Sequence, residues 1–189
     1  MIYSQQNLRP LVRVYHQGCE RNLSDVTKIT NIGTFNVRTL FNDDFKLSNL
    51  LEEMDRLDIK ILGLSETHWS NETPEAFETN KYTIITSSRK DNIHRQGVAI
   101  VLRKEVAYHM ITFKAISERL ILVHLETTDG PLYVLQCYAP DTSYPDAIID
   151  EFYNSLQDAV NKLPKRKKLI LLGDFNAKVG QSSHENWAC

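Results

Sequence analysis

The chain has 189 residues, of which 42% are hydrophobic and 24% are charged, and this is the length and composition of one globular domain with a sizeable core. A net charge of -2 and a pI near 6.3 exclude a global basic field, so a nucleic-acid partner would need a local basic patch. Three distant cysteines fit neither a disulfide framework nor a zinc motif. With no signal peptide and no apolar run near the roughly 20 residues of a membrane helix, we expect an intracellular protein of the nucleus or cytoplasm, neither secreted nor membrane-bound.

Residues 1–27 carry no hydrophobic periodicity, which predicts a poorly ordered leader, and we place the domain at residues 28–189. Residues 28–37 read as a strand, and residues 43–58 place leucine and methionine at helical spacing. A second apolar run covers residues 59–64. These three segments together predict a βαβ-like unit.

Short stretches rich in Val, Ile, Tyr and Thr follow, and they predict strands at residues 82–87, 97–103, 107–114, 120–127 and 132–138. Residues 141–145 have the capping residues and early proline of a helix start, and an apolar stripe then runs to Leu163 before Pro164. Residues 167–172 form a final apolar strand. Roughly eight strands and two helices in this order predict an α/β domain with a two-layered sheet core flanked by helices.

Polar side chains stand at the ends of several predicted strands. Asn36, Glu66 and Asp174 each come directly after an apolar run, with Asn176 two residues beyond Asp174, and Tyr138 ends a fourth run. A lone asparagine there is most often a turn residue, and a lone glutamate is usually solvated. Four such ends in one chain instead favour a site at which strand ends converge.

The residue types in this set suit a hard divalent cation. Glu66 and Asp174 offer carboxylate oxygens, and Mg²⁺ typically binds one or two carboxylates and takes further ligands from water and phosphate. Asn36 and Asn176 would orient a phosphate or a nucleophilic water without adding charge. The pattern predicts phosphoester hydrolysis with Mg²⁺, or with Mn²⁺, as the cofactor.

Five short motifs also occur in a fixed order along the chain. They are Thr34-Phe35-Asn36-Val37-Arg38, Leu64-Ser65-Glu66-Thr67-His68-Trp69, Gly97-Val98-Ala99-Ile100, Tyr138-Ala139-Pro140 and Leu172-Gly173-Asp174-Phe175-Asn176-Ala177. The ordered set resembles the endonuclease/exonuclease/phosphatase superfamily over about residues 28–180. More narrowly, it resembles the apurinic-type endonuclease domain of non-LTR retrotransposons and the retroelement-derived craniofacial development protein 2 group.

The resemblance implies a role for each strand-end residue. Glu66 would be the principal Mg²⁺ ligand, and Asn36 would hold the phosphate or metal end of the site. Tyr138 would contact the scissile phosphate, Asp174 would position or deprotonate the attacking water, and Asn176 would support the phosphate and the transition state. The implied fold is a four-layered α/β sandwich, in which two packed mixed sheets lie between helices, and the implied substrate is DNA.

The chain departs from the family pattern after Asn176. Members also carry a later Asp and a final Ser-Asp-His-like segment whose histidine acts at the scissile phosphate, and this chain has neither. His184 is the one histidine after Asp174, and its loop-like context does not favour it as a substitute. We expect a domain that is incomplete at the C-terminus and that has little or no turnover by itself.

Further residues are candidates for contact with DNA phosphate or bases. The basic run of Lys165, Arg166, Lys167 and Lys168 would bind phosphate, against the alternative of a solvated corner between helix and strand. His68 and Trp69 could face a nucleotide, against a packing role for Trp69. Arg119 resembles a family position that pairs with site carboxylates, against an ordinary surface arginine.

Two other functions remain as alternatives. A catalytically dead module could keep the fold and bind DNA or protein without hydrolysis. A phosphatase for inositol phosphates or other small phosphoesters could share the strand-end motifs, although the Asn-Val-Arg and Glu-Thr-His-Trp contexts favour the retroelement group.

Overall fold

The structure is a computed structural model that describes residues 31–69, 74–87 and 96–177. The predicted leader at residues 1–27 and His184 lie outside these described residues. In chain order the elements are β1 (Ile32–Asn36), α1 (Asp44–Arg56), β2 (Ile61–Ser65), β3 (Glu75–Glu78), β4 (Tyr82–Thr86), β5 (Val98–Arg103), α2 (Lys104–Ala107), β6 (Met110–Ser117), β7 (Leu120–Thr127), β8 (Gly130–Tyr138), α3 (Asp146–Asn161) and β9 (Lys168–Asp174).

The strands form two mixed sheets. The first sheet has five strands in the order β1-β2-β5-β4-β3, and the second has four in the order β6-β7-β8-β9. β1 runs parallel to β2 and β9 runs parallel to β8, while the other pairs are antiparallel. The connections β1-α1-β2 and β8-α3-β9 therefore each bring the carboxyl ends of two parallel strands to the same edge of a sheet, which is where sites commonly form.

Three hydrophobic clusters divide the core into layers. One lies between the sheets and joins residues such as Ile100 from the first sheet to Val123 and Val134 from the second. A second cluster packs α1 through Met54 onto the outer face of the first sheet, and a third packs α3 through Phe152 and Leu156 onto the outer face of the second. The predicted four-layered α/β sandwich of two packed mixed sheets between helices is thus confirmed.

The helices follow the sequence signals in different ways. α1 begins after Asp43, whose side chain accepts a hydrogen bond from the Lys46 backbone N–H, as an N-cap should. α3 begins at Asp146, with Pro145 as an N-cap that makes no side-chain bond. Asp141, at the predicted start, instead caps its own turn by accepting from the backbone N–H and the hydroxyl of Ser143. No helix in the described ranges is long and apolar enough to span a membrane.

Several predicted boundaries were wrong. β3 was not predicted, because all four of its residues are exposed and only pairing with β4 makes the segment a strand. The strand predicted at residues 107–114 instead begins at Met110 and runs to Ser117, since residues 104–107 form the short helix α2. The first strand begins at Ile32 within the described residues, and the described chain contains nine strands and three helices instead of eight and two.

Candidate functional site

The ends of β1, β2, β8 and β9 bring the predicted polar residues together. In the strand registers Asn36 lies opposite Ser65, which precedes Glu66, and Tyr138 lies opposite Asp174. The side chains of Asn36, Glu66, Tyr138 and Asp174 form one hydrogen-bonded group across the two sheets, which we call the carboxylate cluster. Residues up to 138 positions apart in the sequence thus meet at one point.

The amide of Asn36 bridges the two carboxylates. Its Nδ2 donates to Oε1 of Glu66 at 2.7 Å and to Oδ2 of Asp174 at 3.0 Å. The hydroxyl of Tyr138 donates to the same Oε1 of Glu66 at 2.8 Å. One oxygen of Glu66 therefore accepts two hydrogen bonds, and each is a charge-assisted bond of the stronger kind.

Asn176 is held at the edge of the carboxylate cluster. Its backbone N–H donates to Oδ1 of Asp174 at 3.0 Å, and its Nδ2 donates to the carbonyl oxygen of Ala139 at 2.7 Å. Its carboxamide is thereby fixed against the segment that follows Tyr138, beside Asp174. Both oxygens of Asp174 thus have a donor, one from Asn36 and one from the backbone of Asn176.

The backbone around the cluster is strained. Glu66 and Asn176 have φ values of 57° and 46°, and Arg38 and Thr39 have φ values of 48° and 81°. Such left-handed conformations are uncommon for residues other than glycine and persist only where the surroundings enforce them. Here the backbone N–H of Thr39 donates to the carbonyl of Glu66 at 2.7 Å, and Lys46 Nζ donates to the carbonyl of Thr39 at 2.9 Å.

The electrostatics of the cluster favour a cation. Neither Glu66 nor Asp174 forms a salt bridge with any residue that the structure describes, although one amide nitrogen holds them together. Burial, followed by the hydrogen bond to Glu66, raises the pKa of the Tyr138 phenol well above its usual value. The phenol is therefore protonated at neutral pH and acts as a donor.

Cys137 lies next to the cluster but does not supply a nucleophile. Its side chain is fully buried, and burial together with the charge of Asp174 raises the pKa of the thiol to about 12. The thiolate is the reactive form of cysteine, so this residue stays inert at neutral pH.

The donor atoms of the carboxylate cluster suit a hard cation that keeps several of its waters. Within the described ranges no group of three or more His, Cys, Asp or Glu residues lies close enough to enclose a metal. The cluster instead offers two half-buried carboxylates, Glu66 and Asp174, together with the amide of Asn36. Mg²⁺ commonly uses one or two protein carboxylates and keeps several waters, so these residues fit that ion and do not fit a closed zinc site.

Arg119 is buried beside the cluster. It is 6% exposed, its guanidinium donates to the carbonyl of Tyr138 at 3.1 Å, and its Cζ lies 5.2 Å and 5.1 Å from the ring centres of Tyr138 and Tyr144. The alternative of an ordinary surface arginine is wrong, because two aromatic rings cover the side chain. Its position supports the backbone and ring of Tyr138.

Trp69 and His68 follow Glu66 along the chain. The indole of Trp69 donates to the carbonyl of Leu40 at 3.3 Å and packs edge-on against Phe77, with ring centres 5.9 Å apart. These contacts favour the packing role over base stacking for Trp69. His68 has a φ of 58°, and its backbone N–H donates to the carbonyl of Gln96 at 2.8 Å.

The basic run at Lys165, Arg166, Lys167 and Lys168 lies away from the cluster. Its last residue, Lys168, begins β9, whereas Asp174 ends that strand, and six residues of extended chain span about 20 Å. Lys168 forms a salt bridge with Asp129 at 3.2 Å, and Lys167 Nζ donates to the carbonyl of Val160 at 3.4 Å. This geometry favours the alternative of a solvated corner between α3 and β9.

Sequence reasoning missed a buried polar network beneath the cluster. Gln136 is fully buried, accepts from the hydroxyl of Thr34 at 3.3 Å, and donates to the hydroxyl of Ser65 at 2.9 Å. The available signal was a glutamine inside an otherwise apolar strand. The sequence motif assigns no role to Arg38, which is exposed beside Asn36 and donates its backbone N–H to Oδ1 of Asn36 at 3.0 Å.

Comparison with known proteins supports the resemblance. Craniofacial development protein 2 of Bos taurus is 34% identical over 149 residues, which are 79% of this chain and 24% of that protein, and the Tragulus javanicus protein is equally identical. The chain therefore spans about a quarter of the length of these curated relatives.

Solved structures share the fold. The catalytic domain of Xenopus laevis APE2 superposes with a TM-score of 0.58 at 18% identity, covering 77% of this chain and 58% of that one. The endonuclease domain of TRAS1, a telomere-specific non-LTR retrotransposon, superposes with a TM-score of 0.54 at 14% identity, covering 78% and 59%. A protein-family model matches residues 33–189, which are most of the chain. The chain belongs to the Endonuclease/Exonuclease/phosphatase family.

Proposed function

We propose that this chain is a Mg²⁺-dependent phosphodiesterase domain that acts on DNA. The observation that carries the proposal is the pair of carboxylates, Glu66 and Asp174, which share one amide donor and have no cationic partner among the described residues. Two like charges held by one donor favour the binding of a divalent cation, which Glu66 and Asp174 would hold. A bound Mg²⁺ would supply Lewis-acid stabilisation of the negative charge that develops on a phosphate.

Each residue of the cluster has a role that its contacts support. Glu66 would hold the metal, since its Oε2 is not engaged by the hydrogen bonds to Asn36 and Tyr138, both of which reach Oε1. Asn36 would keep the two carboxylates in register for that ion. Tyr138 is a protonated donor, and it would turn its hydroxyl toward a phosphate oxygen.

Asp174 would position the attacking water and accept its proton. Its carboxylate is oriented from both sides, by Asn36 Nδ2 and by the backbone N–H of Asn176, so its direction is fixed before a substrate arrives. Asn176 would lie along the phosphate and support the transition state from the segment it shares with Ala139.

The proposal of DNA as substrate draws on the relatives and on one exposed cation. The solved structures that share the fold include the endonuclease domain of TRAS1 and D. rerio TDP2 complexed with a single-strand DNA product. Arg38 is exposed at the rim of the cluster and makes no ion pair within the described ranges, so it is free to contact a backbone phosphate. Mn²⁺ would support the same chemistry, because both ions prefer oxygen ligands.

A second candidate is a DNA-binding module that does not hydrolyse. The hydrogen-bonded cluster in the described residues contains carboxylates, carboxamides and a phenol but no imidazole to serve the leaving group. General acid catalysis typically contributes 10²- to 10⁴-fold, so a cluster without an imidazole would hydrolyse slowly at best, and this second candidate is the limit at which hydrolysis is absent.

The experiment is a parallel assay of the purified chain on supercoiled plasmid, an abasic-site oligonucleotide and a phosphoinositide, with Mg²⁺, with Mn²⁺ and with a chelator. We expect slow nicking of DNA that the chelator and Glu66→Gln both abolish. DNA retention with no nicking in any metal would establish the binding module, and release of phosphate from the phosphoinositide alone would establish the phosphatase. Glu126→Gln, an exposed carboxylate on β7 outside the cluster, is the control variant that keeps wild-type nicking.

A further inference from the structure

Gln136 is a polar residue in the middle of the apolar layer between the two sheets. It is fully buried, and the residues on the same face of β8 on the side away from the cluster, Leu132 and Val134, belong to the hydrophobic core between the sheets. Burying a carboxamide costs free energy unless hydrogen bonds replace its water. An apolar side chain would fill this position without that cost, so the burial of a glutamine here indicates that its hydrogen bonds have a structural role.

The carboxamide joins the two sheets by hydrogen bonds. Its Oε1 accepts from Thr34 Oγ1 on β1 at 3.3 Å, and its Nε2 donates to Ser65 Oγ on β2 at 2.9 Å. The same Nε2 donates to the carbonyl of Cys137 at 3.3 Å, and Ser65 Oγ donates to that carbonyl at 3.4 Å. The network is closed, because both ends of the carboxamide have partners and the hydroxyls that bind it come from the opposite sheet.

The first sheet carries a notch that receives this side chain. A Cβ atom built on Gly63 would lie 1.9 Å from Oε1 of Gln136 and 2.6 Å from its carboxamide carbon. Gly63 lies opposite Thr34 in the β1–β2 register, so the notch and the hydroxyl that donates to Oε1 are side by side. Any side chain at this position would push the carboxamide, or the sheet, out of place.

The network lies directly beneath the carboxylate cluster. Thr34 is two residues before Asn36 on the same face of β1, Ser65 is the residue before Glu66, and Gln136 is two residues before Tyr138 on the same face of β8. Two residues of a strand span about 7 Å. On each of these three strands, a hydrogen bond of the Gln136 network therefore lies within about 7 Å of the residue that the strand contributes to the carboxylate cluster.

Hydrogen bonds constrain position in a way that the surrounding apolar contacts do not. Burial of apolar surface is non-directional, so two sheets packed only by leucine and valine could slide by a fraction of a residue at small cost. Hydrogen bonds depend steeply on distance and angle. The Tyr138–Glu66 hydrogen bond of 2.8 Å joins the second sheet to the first. A displacement of one sheet along the other by more than a fraction of a residue would break it.

We propose that Gln136 is a positioning residue, whose carboxamide fixes the offset between the two sheets and thereby holds Tyr138 against Glu66. The role in metal binding rests on the proposed function, because a displaced Glu66 would bind the cation less well. The geometric part of the proposal does not depend on that function.

The test compares Gln136→Met, which keeps the length of the side chain and removes both polar groups, with Val134→Ala as the matched control. Val134 is fully buried on the same face of the same strand, one pleat further from the cluster. Thr34→Val, a milder variant that removes only the donor to Oε1, covers the case in which Gln136→Met fails to fold. Three readouts apply to each purified protein: the thermal midpoint, the Mn²⁺ affinity from electron paramagnetic resonance, and the Tyr138–Glu66 distance in a crystal structure.

We expect Gln136→Met to lose the Tyr138–Glu66 hydrogen bond and to bind Mn²⁺ about tenfold more weakly, the low end of what outer residues contribute to metal affinity. Val134→Ala should lower the thermal midpoint and leave both the affinity and the distance unchanged. In a Tyr138→Phe background the tenfold loss should shrink, because both changes remove the same contact.

The proposal is overturned if Gln136→Met and Thr34→Val keep Tyr138 within hydrogen-bond distance of Glu66 with wild-type Mn²⁺ affinity, since Gln136 would then act only on stability. If the wild-type chain binds no Mn²⁺, the proposed function fails instead. The crystallographic distance still decides the role of Gln136 in that case.

Discussion

Replacing Asn36 with aspartate would place a third carboxylate where an amide now holds two others. Asn36 Nδ2 donates to Glu66 at 2.7 Å and to Asp174 at 3.0 Å, and aspartate has no hydrogen to donate at neutral pH. Asn36→Asp therefore removes both bonds and adds repulsion, whereas Asn36→Ala removes the bonds alone. We expect the metal-free protein to be least stable as Asn36→Asp, intermediate as Asn36→Ala and most stable as wild type.

The size of the effect follows from the burial of the partners. Hydrogen bonds to charged groups contribute about 1.5–3 kcal/mol each when buried, and because Glu66 and Asp174 are half exposed we take about 1 kcal/mol per bond. Asn36→Ala should then cost about 2 kcal/mol. Repulsion between neighbouring carboxylates, reduced by solvent, adds about 1–2 kcal/mol for Asn36→Asp. For a domain of this size a loss of about 3–4 kcal/mol lowers the thermal midpoint by roughly 6–16 °C.

The assay is thermal unfolding by circular dichroism in a chelator and in saturating MgCl₂. A ligand at about 100 times its dissociation constant stabilises the native state by about 2.7 kcal/mol, and the extra carboxylate should make this gain larger for Asn36→Asp than for Asn36→Ala. Asn31→Asp is the matched control, because Asn31 lies before the other end of β1 and donates to the carbonyl of Leu57 instead of to a carboxylate. Equal thermal midpoints for the two Asn36 variants in chelator would refute the reasoning. So would a stabilisation of Asn31→Asp by Mg²⁺ as large as that of Asn36→Asp.

Four further outcomes are expected. Gly63→Ala should cost about 1–3 kcal/mol in urea unfolding, because its Cβ would meet the carboxamide of Gln136 at 1.9 Å, and an unchanged midpoint would contradict the close approach. Arg38→Ala should weaken DNA binding and lower the slope of log affinity against log salt by about one, as expected when one phosphate contact is lost, and an unchanged slope in fluorescence anisotropy would remove Arg38 from the interface. Charge reversal across Lys165–Lys168 should leave DNA affinity within about twofold at physiological salt, since the run lies about 20 Å from Asp174 and beyond the screening length, and a loss of retention would restore the run as a DNA contact. Because the pKa of Tyr138 is raised in the folded state, its contribution to stability is complete below about pH 10, the ordinary value for tyrosine, and is lost as the pH rises above it; Tyr138→Phe should unfold with a shallower loss of stability there, and an identical alkaline slope would contradict the raised pKa.

Patterns local to the chain were sufficient for the outline of the fold. Apolar runs ended by glycine and a polar residue correctly marked β1, β2 and β9, and the periodic leucines of α1 marked the helix on the outer face of the first sheet. These signals are readable because burial on one face imposes a period of 3.6 or 2 on the sequence itself. The strand-end position of Asn36, Glu66, Tyr138 and Asp174 likewise predicted that the four side chains would converge.

Where local signals are weak, pairing and packing decided the structure. β3 has four exposed residues and becomes a strand only because β4 offers it hydrogen-bonding partners. The helix α2 interrupts a stretch that reads as strand, and the backbone N–H of Lys104 at its start donates to the carbonyl of Lys81, in the turn before β4. Neither pairing can be read from the residues of the segment alone, since the partner lies elsewhere in the chain.

The sequence by itself identified the strand-end residues that we propose to carry the chemistry, and only the tertiary structure decided how they are held. Residue type and the position after a strand identify the carboxylates Glu66 and Asp174, because those properties belong to each residue separately. The bridge made by Asn36, the burial of Arg119 and the network around Gln136 each depend on distances between strands that lie up to 138 residues apart in sequence. Such distances arise from the packing of two sheets, which is a property of the whole chain and of no single segment.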